Sequence, residues 1–132
     1  MTTELNADLR RPHKIVILNP KGGCGKTTLA TNLASYFALE QAPPSTDPVA
    51  DDWQPHPPTL VDCDPGGYSM RWVEKRPAEW PTVYGIAAYE QNGPNARPLS
   101  AWPGSRQLIV DLPASLAPKE FFHQTYDADS VV

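Results

Sequence analysis

The segment Asn19-Pro20-Lys21-Gly22-Gly23-Cys24-Gly25-Lys26-Thr27-Thr28 constrains this chain more than any other. It follows an apolar run, Ile15-Val16-Ile17-Leu18, and opens a segment of helical periodicity. A glycine-rich turn between a strand and a helix N-terminus points backbone N–H groups inward, and the helix dipole favours an anion there. Such a loop is a phosphate cradle. At this spacing Lys26 reaches the terminal phosphates and Thr27 offers its hydroxyl to Mg²⁺. The standard pattern, G-x-x-x-x-G-K-[ST], wants glycine where Pro20 stands, so only its second half is present. A second lysine, Lys21, lies in the same loop.

The flanking segments read as α/β architecture. Lys14–Leu18 is short, β-branched and apolar on both faces, as buried parallel strands are. From Thr27 to Glu40 the residues Leu29, Ala30, Leu33, Ala34, Phe37 and Ala38 recur three and four apart, which predicts an amphipathic helix. Residues 41–58 carry six prolines and three aspartates without apolar periodicity and read as an extended loop or linker. Thr59–Cys63 is a second strand, Tyr68–Lys75 a short helix stopped by Pro77, and Thr82–Ala87 a third strand. Gln107–Asp111 is a fourth strand, and Ala117–Tyr126 begins a helix. Strands ending in aspartate after a strand–loop–helix unit predict a parallel sheet, in which Asp62, Asp64 and Asp111 fall on the same edge as the loop.

At 132 residues and a net charge of −4 the chain suits one domain, with residues 1–13 as a loose polar arm and 14–132 as the folded part. Its 16 prolines exceed the usual share of about 5% and confine regular structure to the segments named above. The acidic balance argues against a strong nucleic-acid footprint. Cys24 and Cys63 show no disulfide spacing, there is no signal-peptide core, and no apolar run is long enough to span a bilayer. These features predict a soluble intracellular protein. His13, His56 and His123 lack metal-ligand spacing and read as surface residues. Neither cysteine reads as a nucleophile, since aspartates flanking Cys63 oppose a thiolate.

The loop form that does fit is K-G-G-x-G-K-[ST]-[ST], two lysines bracketing the glycines. It resembles the deviant Walker A loop of the ParA/MinD family, ATPases that position plasmids, chromosomes and other large cargo. The resemblance implies that Lys21 reaches across an ATP-sandwiched dimer to the other subunit's phosphates. It implies too that Gly22, Gly23, Cys24, Gly25, Lys26, Thr27 and Thr28 hold the nucleotide. Leu60-Val61-Asp62-Cys63-Asp64-Pro65-Gly66-Gly67 is similar to the family's D-x-D-P-Q-G element, with Gly66 in place of glutamine. By that likeness Asp62 holds Mg²⁺ through water and Asp64 orients the attacking water. Leu108-Ile109-Val110-Asp111-Leu112-Pro113-Ala114 resembles the Walker B segment, which makes Asp111 a water-mediated Mg²⁺ group alongside Thr27 and Asp62. Leu112 replaces a small polar residue there. Arg71-Trp72-Val73-Glu74-Lys75-Arg76-Pro77 resembles a segment of bacterial ParA-like proteins, some of which distribute carboxysomes. Read from the residues alone it is a solvated helix with Trp72 and Val73 turned inward.

The resemblance covers residues 12–40 and 59–126. It implies a P-loop NTPase-like parallel sheet with flanking helices, incomplete relative to the full family fold because the chain stops soon after the Walker B strand. It further implies ATP and Mg²⁺ as cofactors, an ATP-dependent homodimer, and a cargo adaptor or ParB-like activator as partner. Non-specific DNA is a partner the family uses, although the region that usually binds it is absent here. No membrane partner is implied, and the location is cytoplasmic, at the nucleoid where DNA is bound. The alternative is a truncated, non-hydrolysing nucleotide-binding or interaction module. A metabolic P-loop kinase is disfavoured, because Lys21 and the D-x-D-P element have no reason to occur together in one.

Overall fold

The computed structural model describes residues 11–18, 25–40, 55–90, 101–113 and 125–132. They form β1 (His13–Ile17), α1 (Lys26–Glu40), β2 (Thr59–Asp62), α2 (Tyr68–Glu74), β3 (Tyr84–Ala87), a 3₁₀ turn (Ala88–Glu90), β4 (Gln107–Asp111) and β5 (Ser130–Val131). The strands make one sheet in the order β3-β2-β4-β1-β5, and every pairing is parallel.

The central strands are apolar on both faces because both are covered. Ile15, Ile17, Leu60 and Ile109 point to one side, where Ala30, Ala34 and Ala38 of α1 meet them and Leu33, Phe37, Trp72 and Val73 fill the margin. Val16, Val61, Leu108, Val110 and Leu112 make the second layer on the other side. Each Val, Leu or Ile so buried contributes roughly 1.5–3 kcal/mol. Alanine at every fourth position gives α1 a flat contact stripe, so the helix lies close to the sheet. Leu29, which the periodicity assigns to that stripe, lies at its margin and is exposed. The Thr31 hydroxyl donates back to the carbonyls of Thr27 and Thr28, satisfying a buried polar group within the helix.

Chain order fixes where a ligand would sit. From β1 the chain runs past β4 to reach β2, whereas from β4 it runs past β1 to reach β5. Neighbouring strands whose connections leave in opposite directions open a crevice at their C-terminal ends, and in open parallel sheets ligands bind there. The start of α1 and the aspartate ending β4 meet at that crevice.

The structure differs from the sequence expectations at several points. Strand β3 begins at Tyr84 rather than Thr82, and α1 begins one residue earlier than predicted. His13, the last residue assigned to the N-terminal arm, is the first of β1. A fifth strand, β5, follows the expected last strand. It is only two residues long and is pinned by polar contacts rather than by an apolar pattern. The Lys14 amide donates to Asp129 at 2.8 Å, the Lys14 ammonium meets Asp127 at 2.6 Å, and Arg11 meets Asp129 at 2.5 Å. Most of the expected helix over 117–126, all but Thr125 and Tyr126, and most of the proline-rich stretch at 41–58 lie outside the described residues. Of that stretch, Pro57 and Pro58 are buried against the start of β2.

Candidate functional site

The site is assembled from the ends of three elements. Helix α1 begins at Lys26, and its first turn holds no acidic side chain, so its orphan N–H groups and positive dipole end stay available to an anion. Gly25 precedes it at φ 91°, a left-handed backbone that only glycine adopts without strain. Strands β2 and β4 end side by side, with Asp62 and Asp111 as register partners.

Asp111 is fully buried and, among the described residues, collects three side-chain donors. The Lys26 ammonium donates to Oδ1. The hydroxyls of Thr27 and Ser69 donate to Oδ2 at 3.3 and 2.5 Å. Lys26, itself almost buried, also stands 4.0 Å from the half-exposed Asp64 carboxylate. Asp62 is satisfied differently, among the described residues by backbone: the amides of Asp64 and Met70 donate to its two oxygens at 3.0 and 2.9 Å. Burial pushes the Asp62 carboxyl up from its ordinary value, with the charges of Asp111 and Asp64 acting in the same direction and the two amides opposing them. Burial likewise pushes the Cys63 thiol up to about 12, and the charges of Asp62 and Asp111 add to it. A thiol so held stays protonated and is a poor nucleophile.

The loop 63–67 is folded by hydrogen bonds within itself, one to a side chain and one to backbone. Gly66 N–H donates to Asp64 Oδ1 at 2.9 Å, and Gly67 N–H to the Asp64 carbonyl at 2.9 Å. Gly67 then enters α2 at φ 67°, with the Tyr89 hydroxyl 3.1 Å from where a β-carbon would lie. Gly66 has equally little room, because a β-carbon there would lie 2.7 Å from the Tyr68 ring.

Of the residues singled out from sequence, Lys26, Thr27, Asp62, Asp64 and Asp111 converge on one edge of the sheet. Gly25 is adjacent at the helix start, and Thr28 is exposed on the first turn of α1. Lys21, Gly22, Gly23 and Cys24 lie outside the described residues. Ser69 and the Met70 amide were missed. Ser69 looks like an ordinary residue of a short helix, and only the packing of α2 against the ends of β2 and β4 gives it a role.

The donor set suits a magnesium-bound polyphosphate. Among the described residues no group of three or more His, Cys, Asp or Glu side chains is placed to cage a metal. Magnesium held with substrate phosphates needs only one or two carboxylates and a hydroxyl, all hard oxygen donors, and Thr27, Asp62 and Asp111 supply these. A lysine at the helix start whose present partner is a carboxylate is equipped to meet a phosphate instead.

A parallel α/β sheet with a glycine-entered helix, a lysine and a threonine facing an aspartate-ended neighbouring strand is a P-loop NTPase-like arrangement. Residues 15–42 match the family model described as the CobQ/CobB/MinD/ParA nucleotide binding domain. The chain is 30% identical over 106 residues to the maintenance of carboxysome distribution protein A of Gloeobacter kilaueensis, covering 80% of this chain and 40% of that relative. It is 29% identical over 102 residues to the protein of the same description from Halothiobacillus neapolitanus, covering 77% and 40%. No solved structure matches it significantly. Residues 15–42 are thus similar to nucleotide-binding proteins of the ParA/MinD type, and the chain spans 40% of the length of the curated relatives it matches.

Proposed function

We propose that this chain binds Mg-ATP at the crevice between β1 and β4 and works as a ParA-like positioning ATPase. The observation that carries the reading is the convergence of Lys26 and Thr27, from the start of α1, on Asp111 at the end of β4. Gly22, Gly23, Cys24, Gly25, Lys26, Thr27 and Thr28 would hold the nucleotide, and Thr27, Asp62 and Asp111 its magnesium. Bound Mg-ATP supplies the phosphoryl group to be transferred and the metal charge that neutralises it. The chain's own contribution is position and electrostatics, which is most of what phosphoryl transfer asks of a protein. Asp64, more exposed than Asp62 and Asp111, would orient the attacking water.

Lys21 is assigned to the other subunit of an ATP-dependent homodimer, and a cargo adaptor or ParB-like activator would tune turnover. The names of the relatives suggest carboxysomes as the cargo. Non-specific DNA at the nucleoid is the surface along which such a protein would work. No helix among the described residues is long and apolar enough to cross a membrane, and a cytoplasmic location fits the reading. The second reading is a non-hydrolysing nucleotide-binding or interaction module.

The test is binding and hydrolysis of Mg-ATP by the purified chain beside Lys26→Ala and Lys21→Ala, with sedimentation in the presence and absence of ATP. The positioning reading expects binding lost in Lys26→Ala, and ATP-dependent dimerisation lost in Lys21→Ala. Binding without turnover selects the module, and no binding by the parent chain rejects both readings.

A further inference from the structure

We propose that Ser69 is a positioning residue for the magnesium side of this site, an anchor that fixes the Asp111 carboxylate while the other two donors are recruited by ligand. The inference rests on the Mg-ATP reading and names a residue that reading does not include. Asp111 is buried in an apolar sheet, and its bonds come from two elements. Lys26 and Thr27 belong to α1, and they are the groups a phosphate and its metal would engage. Ser69 belongs to α2, carries no charge, and is fully buried with its hydroxyl 2.5 Å from Asp111 Oδ2.

A neutral buried hydroxyl has no affinity for a polyphosphate that would draw it off a carboxylate. Ser69 therefore stays on Oδ2 whichever partners Lys26 and Thr27 take, and it holds the carboxylate plane while Oδ1 becomes free. Without it, the freed carboxylate would rotate or need another donor in a dry surrounding, where an unmade bond to a charged group is costly. The neighbouring Met70 amide holds Asp62 in the same way. The first turn of α2 thus steadies both strand-end carboxylates at once, and it does so from outside the phosphate loop.

The phosphate cradle itself does not involve Ser69, so its loss should show in the magnesium dependence and not in the magnesium-free affinity. ATP binding to the full chain is measured by calorimetry in excess EDTA and across a magnesium titration, for the parent, Ser69→Ala, Ser69→Cys and Ser69→Thr. Cysteine keeps the side-chain volume but is a weak donor; threonine keeps the hydroxyl. The expected result is a roughly tenfold rise in the magnesium concentration giving half-maximal enhancement for both Ser69→Ala and Ser69→Cys, the size of a lost hydrogen bond to a charged group. Magnesium-free affinity should stay within about twofold of the parent, and Ser69→Thr should restore the parent's magnesium requirement. An unchanged requirement in Ser69→Ala and Ser69→Cys overturns the anchor while leaving the Mg-ATP reading intact. Equal losses with and without magnesium overturn it too, since that is what a merely structural serine would give. A parent chain that binds no ATP removes the reading and the anchor together.

Discussion

Asp62 and Asp111 are register partners at the ends of neighbouring parallel strands, yet they are held by different means. Asp62 is fixed by two backbone amides, which no ligand can recruit without unfolding the loop after β2. Asp111 is held by side chains, one of them a lysine at a helix start. Two like charges at one sheet edge repel, and Lys26 offsets this by sitting against one carboxylate and within reach of a third, Asp64. The site is thereby built with one fixed acidic group and one whose partners can be exchanged. That asymmetry suits the proposed Mg-ATP, an anion and a cation bound together.

The first prediction concerns the Lys26–Asp111 pair in the absence of nucleotide. Both side chains are nearly excluded from water, with 9% and 1% exposure, so removing one charge strands the other in a poor medium. Lys26→Met and Asp111→Asn should each destabilise the chain by about 3 kcal/mol. The double variant should be less destabilised than the sum, by a coupling of about 1–3 kcal/mol. Urea unfolding of the four proteins measures this, and strict additivity would show that the pair does not act as a unit.

Much of this arrangement was legible in the residues. β1, β2 and β4 announce themselves as short β-branched runs, and α1 by its three- and four-residue spacing, because burial on both faces or on one stripe leaves a periodic trace. The aspartates at strand ends were legible because a parallel sheet sends all its C-terminal ends to one edge. β5 was not, since two residues carry no period and its attachment to β1 is made by Arg11, His13 and Lys14 with Asp127, Asp129 and Ser130. Those contacts span more than a hundred residues of sequence, and nothing local encodes them. Ser69 and Tyr89 escaped for the same reason: their importance lies in which loop they pack against.

Gly66 and Tyr68 form a second coupled pair. A β-carbon at Gly66 would stand 2.7 Å from one ring carbon of Tyr68 and 3.3 Å from Asp64 Oδ1. The ring is 62% exposed and stacked under Arg71, whose guanidinium carbon lies 4.7 Å from its centre. It can therefore swing away at modest cost. Gly66→Gln should lose about 1 kcal/mol by overpacking, and close to none of this in a Tyr68→Ala background. Gly67→Ala offers the contrast. Its left-handed backbone costs roughly 1–2 kcal/mol for any side chain, and Tyr68→Ala gives no relief. Thermal unfolding of the five variants decides it; equal rescue of both glycine substitutions would disprove the pairing.

Arg76 ties α2 to its surroundings through its planar group. It lies 5.1 Å from the Trp72 ring centre and 5.5 Å from that of Trp80, while Nε donates to the Pro81 carbonyl at 2.8 Å and a terminal nitrogen to Ser35 of α1 at 3.3 Å. A lysine keeps the charge but neither the plane nor the fork of donors. Arg76→Lys should therefore cost about 1–2 kcal/mol, nearly as much as Arg76→Ala. Denaturant titration with Trp fluorescence reads both. A lysine variant as stable as the parent would mean that charge alone, and not stacking, holds this corner.

The last prediction is a pH dependence at the opposite edge of the sheet. The backbone amide of Lys14 holds the Asp129 carboxyl below its ordinary value of 3.8, against a smaller opposing effect of burial, and the charge of Arg11 adds to the lowering. A carboxyl that is more acidic folded than unfolded stabilises the fold while both forms are ionised. That contribution is complete above the ordinary value and disappears as pH falls through the lower, folded value. Asp129→Asn should accordingly lower the urea midpoint near neutral pH, and the gap from the parent should shrink as pH falls below the ordinary value of 3.8. The sign is specific, since a carboxyl raised by burial would instead lose stability as pH increased. A gap that stays constant or widens in acid would show that β5 is held to β1 by packing of Ser130 and Val131 rather than by the ionised Asp129.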